Sequence, residues 1–232
     1  MRTFDLIVIG SGSGLEVSAD ESDAGRFVAV IEEGPFGGTC LNRGCIPSKM
    51  LIQCADVMQT VQNAAASGIH AKVESIDWQF IVQRAFEEVD ADAAMIERGN
   101  RQSENVEVFK GRGRFTGSKA LAVEGFDEEL TAETTLIAVG TRPWVPDIPG
   151  LDQTQYLTSD EALRLPEQPK RLTVVGGGYI AAELAHFFGA LGTEVYQRRF
   201  NMALDAQVEG VSTQGGEITV EATTPDGKRS IP

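Results

Sequence analysis

Cysteine and histidine are scarce in this sequence: 232 residues carry 3 cysteines and 2 histidines. A disulfide-stapled fold draws on an even set of cysteines in an oxidising compartment, so that class is excluded. A closed zinc site needs four ligands, and His70 and His186 are remote in sequence, so no metal is expected. Basic residues are also short, with 20 Lys+Arg against 34 Asp+Glu and a formal charge of −14. So acidic a surface repels nucleic acid and anionic membrane, and neither is expected as a partner. The acids are scattered and form no tail, which reads as a solvated surface. Long apolar runs are missing too, since none approaches the ~20 residues of a membrane helix. The first residues, MRTFDLIVIG, run straight into a strand-like segment instead of a signal or transit peptide, and a cytoplasmic location is expected.

What is present is a repeated unit. FDLIVIGSGSG (4–14) and KRLTVVGGGYI (170–180) are each a β-branched apolar run ending in a glycine cluster. Each is followed by about a helix's worth of sequence and a second strand, RFVAVIEE (26–33) in one case and TEVYQ (193–197) in the other. A repeated βαβ unit predicts an α/β fold with two Rossmann-like, mainly parallel, doubly wound domains, the second of them incomplete. Between the units, Met50, Leu51, Cys54, Ala55, Met58 and Val61 recur at helical spacing from Pro47 to about Ala65. Trp78, Ile81, Val82, Ala85, Phe86 and Val89 do the same from Asp77, which is placed as an N-cap. Short strands are expected over 105–139, and a hairpin through Asp226-Gly227 near the end. The proline-rich RPWVPDIPG (142–150) reads as an extended connector, giving expected domains at 1–145 and 146–232.

In GSGSGL, Gly10 and Gly12 match the first two glycines of the G-x-G-x-x-G fingerprint. Gly10 suits the tight turn after the strand, and Gly12 lets backbone N–H groups approach a pyrophosphate at a helix N-terminus. The third position is Leu15, and Gly14 stands one residue early, which weakens the helix–strand packing argument but not the phosphate argument. Glu32, about 20 residues on, stands where an acid accepts hydrogen bonds from a ribose. In GGGYIAAE, Gly176, Gly178 and Ala181 take the same roles. There the ribose-reading position falls near Arg198 and Arg199, where a cation favours a 2′-phosphate and hence NADP over NAD; the plain alternative is two surface arginines. Two dinucleotide loops imply two dinucleotides, and electron transfer between them needs a carrier.

The stretch GGTCLNRGCIPSK places Cys40 and Cys45 on either side of four residues. Such a pair does not stack on one helix face, but it can bridge if Cys40 lies in a loop and Cys45 at the start of the helix opened by Pro47. A helix N-terminus favours thiolate over thiol, and a small strained disulfide is readily reduced. The pair is therefore a candidate redox couple, against the alternative of two unrelated thiols. Cys54 reads as a packed residue on the apolar face of the following helix.

GGTCLNRGCIPSK, preceded by GSGSG and followed by LIAVGTRPWVPDIPG and GGGYIAAE, resembles the pyridine nucleotide-disulfide oxidoreductases across residues 1 to about 199. The resemblance is nearest to mycothione reductases, with dihydrolipoyl dehydrogenases as the alternative. It implies FAD and a nicotinamide cofactor, NADP or NAD. The first loop and Glu32 would bind the ADP half of FAD; Gly37, Gly38 and Thr39 would line the flavin side; Gly113 would touch the adenine; Gly140 would also bind cofactor. Lys49 would approach the flavin and pair with Glu183, Cys45 would be the thiolate beside the flavin, and Cys40 would attack the substrate. The implied cycle runs from NADPH to FAD, to a Cys40–Cys45 disulfide, and on to a low-molecular-weight disulfide. A homodimer is expected of the full-length family. The sequence departs from the family's pattern in three respects: no second FAD-domain segment, no interface domain and no His-Pro…Glu element, so a truncated, internally shortened chain is expected. From another class, the alternative is a nucleotide-binding fragment without turnover.

Overall fold

Period-two alternation explains the core of the first unit. The computed structural model describes residues 1–195, 203 and 205–231, and Arg198 and Arg199 lie outside them. The chain forms two compact units, residues 1–47 with 84–142, and residues 48–83 with 143–232. In the first, β1 (Arg2–Ile9) leads through α1 (Gly14–Asp23) to β2 (Val28–Glu32), α2 (Gly38–Arg43) and the start of α3 (Cys45–Asn63). Helix α4 (Trp78–Gln102) returns the chain to β3 (Val106–Lys110), β4 (Gly113–Phe115), β5 (Ala120–Val123) and β6 (Leu130–Ile137). The sheet order is β3-β2-β1-β6-β5-β4. The first four strands are parallel, and β5 and β4 add an antiparallel edge.

Both faces of the parallel strands are covered, so they read as continuous apolar runs. Ile7, Ala29, Ile31 and Phe109 belong to one buried cluster, with Leu121, Val123 and Leu130 of the antiparallel edge. Their neighbours Leu6, Val8, Val28, Val30 and Val108 belong to the other, against which Leu15 of α1 and Ile96 of α4 pack. Each fully buried aliphatic side chain contributes about 1.5–3 kcal/mol. Helix α4 buries Trp78, Val82, Ala85, Phe86, Val89 and Ala93, an i, i+4, i+7 stripe. Asp77 caps it, its Oδ1 accepting from the backbone N–H of Phe80 at 2.9 Å. Helix α3 starts at Cys45, two residues before the expected Pro47.

In the second unit, α5 (Ser159–Leu163) precedes β7 (Arg171–Leu172), α6 (Tyr179–Ala190) and β8 (Glu194–Val195). β7 and β8 are parallel neighbours, which completes the second βαβ unit. Among the described residues, the strand expected over most of KRLTVV is Arg171–Leu172, paired with Glu194–Val195. A separate antiparallel sheet of β9 (Gln207–Gln214), β10 (Glu217–Thr224) and β11 (Gly227–Ile231) follows. Its last turn differs by one residue from expectation: Thr224 pairs with Gly227, so the turn residues are Pro225 and Asp226. Pro225 presets the first turn dihedral, and Thr224 Oγ1 accepts from the Asp226 N–H at 3.2 Å. The end of the proline-rich stretch docks on β9, with the Val211 N–H donating to Pro149 O at 2.8 Å. Among the described residues no helix is long and apolar enough to cross a membrane.

Candidate active site

The parallel strands of the first unit end on one side in four loops, and a cleft of about 600 Å³ lies between them. It is lined by Gly10–Ser13 after β1, Glu32–Glu33 at the end of β2, Gly111–Gly113 after β3 and Ala138–Gly140 after β6. Since β1 has β2 on one side and β6 on the other, this is the topological switch point where α/β folds bind ligands.

Backbone hydrogen bonds fix the loops: Gly10 N–H to Ile31 O at 2.8 Å, Ala138 N–H to Ile9 O at 2.8 Å, Gly111 N–H to Glu32 O at 3.0 Å. Gly10 has φ +105°, and a Cβ there would run into the Ala138 carbonyl. A Cβ on Gly38 would stand 2.6 Å from Gly12 Cα, so the two glycine segments meet backbone to backbone. The cleft wall at this point is peptide instead of side chain, the kind of surface a pyrophosphate requires. Gly14, one residue early in the fingerprint, supplies the packing role after all. A Cβ there would lie 2.9 Å from Val8 Cγ1 and 2.8 Å from Ala138 Cβ, so the first residue of α1 must be glycine for the helix to close on the sheet.

Glu32 lines the cleft, but its carboxylate is already engaged. Oε2 accepts from the backbone N–H of Ser11 at 2.9 Å and from Ser11 Oγ at 2.8 Å, and Oε1 accepts from the Gly34 N–H at 2.6 Å. Of the roughly four acceptor positions of a carboxylate, about one is left for a ligand hydroxyl. Ser11, buried between the two glycines, was not singled out in the sequence; the alternation G-S-G-S-G hid its side chain's task. Gly37, Gly38 and Thr39 line the same cleft, as do Gly113 and Gly140. A Cβ on Gly140 would stand 3.7 Å from Thr39 Oγ1.

Cys40 also lines the cleft, and it sits on the short helix α2 instead of in a loop. Residues 39–43 hold no helix breaker until Gly44, and Asn42 ties the turn down by donating to Phe36 O and Gly38 O, both at 2.9 Å. Gly44 separates α2 from α3, and Cys45 is the first residue of α3. Both cysteines are exposed. The Cys40 thiol is raised above its ordinary range, chiefly by a side-chain hydrogen bond with Cys45, then by partial burial and the negative charge Cys45 can carry. The two sulfurs are thus direct neighbours. Cys54 is half-buried and donates to Met50 O at 3.6 Å.

The remaining predicted residues fall in the second unit. Lys49 Nζ forms an ion pair with Glu183 Oε1 on α6. Gly178 is the N-cap of α6, Gly176 precedes it with φ +122°, and Ala181 stands in the first turn. Added Cβ atoms at Gly176 and Gly178 would meet nothing within 4 Å. His186 is held by Asp56, Nε2 to Oδ1 at 2.9 Å, and His70 is exposed in a stretch without regular structure.

Comparison with known proteins places this geometry. The family model described as pyridine nucleotide-disulphide oxidoreductase matches residues 4–222. A mycothione reductase of Mycobacterium tuberculosis is 40% identical over 199 residues, 84% of this chain and 43% of that protein. A glutathione reductase of Burkholderia cepacia is 34% identical over 252 residues, 96% of this chain and 54% of that protein. A solved structure, the Cu(II) complex of the HOCl-induced flavoprotein disulfide reductase RclA from Escherichia coli, superposes with TM-score 0.80 at 25% identity, covering 100% of this chain and 55% of that one. The chain thus spans about half the length of these relatives. Its parallel sheet, its glycine loop and its neighbouring thiols are those of the pyridine nucleotide-disulphide oxidoreductases, and the chain belongs to that family.

Proposed function

We propose that the chain is the dinucleotide- and dithiol-bearing part of an NAD(P)H-dependent disulfide reductase acting on a low-molecular-weight disulfide of the mycothione type. The single observation that carries this is the contact between the Cys40 and Cys45 thiols, with Cys40 on the wall of the glycine-lined cleft.

The expected exchange balances on this chain's own atoms. The Cys40 sulfur, once deprotonated, attacks one sulfur of the substrate disulfide; that bond breaks, one thiolate leaves, and Cys40 holds a mixed disulfide. The Cys45 thiolate then attacks the Cys40 sulfur, expels the second thiolate and closes the Cys40–Cys45 disulfide. Two electrons pass to the substrate, and the two thiol protons end on the two product thiols. A flavin, when bound, supplies the two-electron relay from the nicotinamide that reopens the disulfide. The glycine loop and Glu32 would hold its ADP half, with Gly113 at the adenine and Gly37, Gly38, Thr39 and Gly140 beside the flavin. Gly176, Gly178 and Ala181 would present the nicotinamide cofactor, with Lys49 and Glu183 as a paired acid and base near its ring. NADP is favoured over NAD by the sequence signal at Arg198 and Arg199. Residues 1–145 would form the FAD-binding domain and 146–232 a partial NAD(P)-binding domain. The location would be cytoplasmic, and the assembly a homodimer. On the same geometry a dihydrolipoyl dehydrogenase differs only in substrate and direction.

A second reading, a dinucleotide-holding unit without turnover, is favoured by one pair of facts. Cys40 holds its proton more tightly than an ordinary thiol, so attack needs a base, and His186 is committed to Asp56. Following NADPH oxidation by the FAD-supplemented chain separates the two. Faster reduction of mycothiol disulfide than of glutathione disulfide or lipoamide supports the first reading. Equal rates remove the narrower substrate, and no turnover on any disulfide leaves the second.

A further inference from the structure

The cleft carries a charge arrangement that the glycine fingerprint does not explain. Helix α1, whose N-terminus faces the glycine loop, bears Glu16 in its first turn and Asp20, Glu21 and Asp23 beyond, and no basic residue. Glu16 in the first turn offsets the positive end of the helix dipole, which is what a phosphate would meet there. In a chain of net charge −14, that loop alone is a poor site for a dianion.

Arg43, Arg112 and Arg142 line the cleft, and the last two stand in contrast. Arg112 lies between Gly111 and Gly113 after β3, and Arg142 follows Gly140 after β6. With sheet order β3-β2-β1-β6, they flank the Gly10–Gly12 loop from its two sides. Neither guanidinium has a carboxylate within salt-bridge distance among the described residues, and Arg142's one side-chain hydrogen bond there is to the neighbouring Thr141 O at 3.2 Å. In a chain with 34 acids for 20 bases, two cations without acidic partners on opposite sides of one cleft call for an anion.

We propose that Arg112 and Arg142 form a two-sided clamp on the diphosphate of the cleft's ligand, supplying the positive charge that the acid-rich α1 does not. The clamp rests on the dinucleotide reading of the same cleft, and it names residues that the fingerprint omits. A planar guanidinium suits a diphosphate through paired N–H donors, and the two side chains approach it from the adenosine end and from the thiol end.

The test is binding by the full chain, without turnover. FAD, ADP and adenosine are titrated by calorimetry at low salt against the parent chain, Arg112→Gln, Arg142→Gln and Glu16→Gln. Each arginine variant should lose about tenfold in affinity for FAD and ADP and stay within about twofold for adenosine, and Glu16→Gln should tighten FAD and ADP. Both arginines are exposed, and far-UV circular dichroism checks that the variants fold. Equal losses for ADP and adenosine, or FAD affinities matching the parent, overturn the clamp while the dinucleotide reading stands. A parent chain that binds neither FAD nor ADP overturns that reading, and the clamp with it.

Discussion

The Cys40 thiol is hydrogen-bonded to Cys45 across the break at Gly44, where the short helix α2 ends and α3 begins. One sulfur lies on the wall of the glycine-lined cleft and the other at a helix N-terminus.

The contact has a pH consequence. Because Cys45 and partial burial raise the Cys40 pKa, Cys40 stays protonated further into alkali than an ordinary thiol. Folding binds that proton more tightly, so the associated stability is present below the ordinary thiol pKa and is lost as pH rises through the folded value. Alkylation of Cys40 by iodoacetamide, followed by peptide mass spectrometry, should therefore rise at higher pH in the parent chain than in Cys45→Ser. Coincident profiles would contradict the coupling.

The pair should trap its own intermediate. In Cys45→Ser, a small disulfide should leave a stable adduct on Cys40, whereas the parent chain should release both thiols and close an internal disulfide. Intact mass and thiol count read the two outcomes. Adducts of equal lifetime in both proteins would mean that the sulfurs do not cooperate.

Gly14→Ala should destabilise the first unit by about 1–3 kcal/mol, since its methyl must push Val8 or Ala138 aside. Urea unfolding gives the value. An unchanged midpoint would remove the packing role assigned to Gly14.

Glu32→Gln keeps the size of the side chain but turns an acceptor of three hydrogen bonds into a group that must also donate. A loss of about 1.5–3 kcal/mol in stability is expected, with weaker FAD binding because the Ser11 loop is no longer held. A variant as stable as the parent and with the same FAD affinity would show that Glu32 neither orients the loop nor meets the ligand.

Much of this was legible in the sequence because several signals are local. The apolar run Leu6-Ile7-Val8 and the glycines after it announce a strand, a turn and a helix, and Asp77 announces a cap. The pairing of Lys49 with Glu183 came from the family resemblance, since no local rule links residues so distant in sequence. What remained hidden depends on neighbours in space. Whether Gly14 or residue 15 closes the helix on the sheet is decided by Val8 and Ala138, and the task of Ser11 is decided by Glu32. The placement of Cys40 on a helix depends on Asn42 reaching two carbonyls. Arg112 and Arg142 carry no local signal, and only the strand order sets them on opposite sides of one loop.

The most direct test is the visible spectrum of the purified chain with FAD, before and after NADPH, beside Cys45→Ser. The account predicts a bound-flavin band that bleaches with NADPH and gains a long-wavelength shoulder in the parent but not in Cys45→Ser. A chain that stays colourless after FAD is added and removed by gel filtration, or a shoulder identical in both proteins, would contradict it.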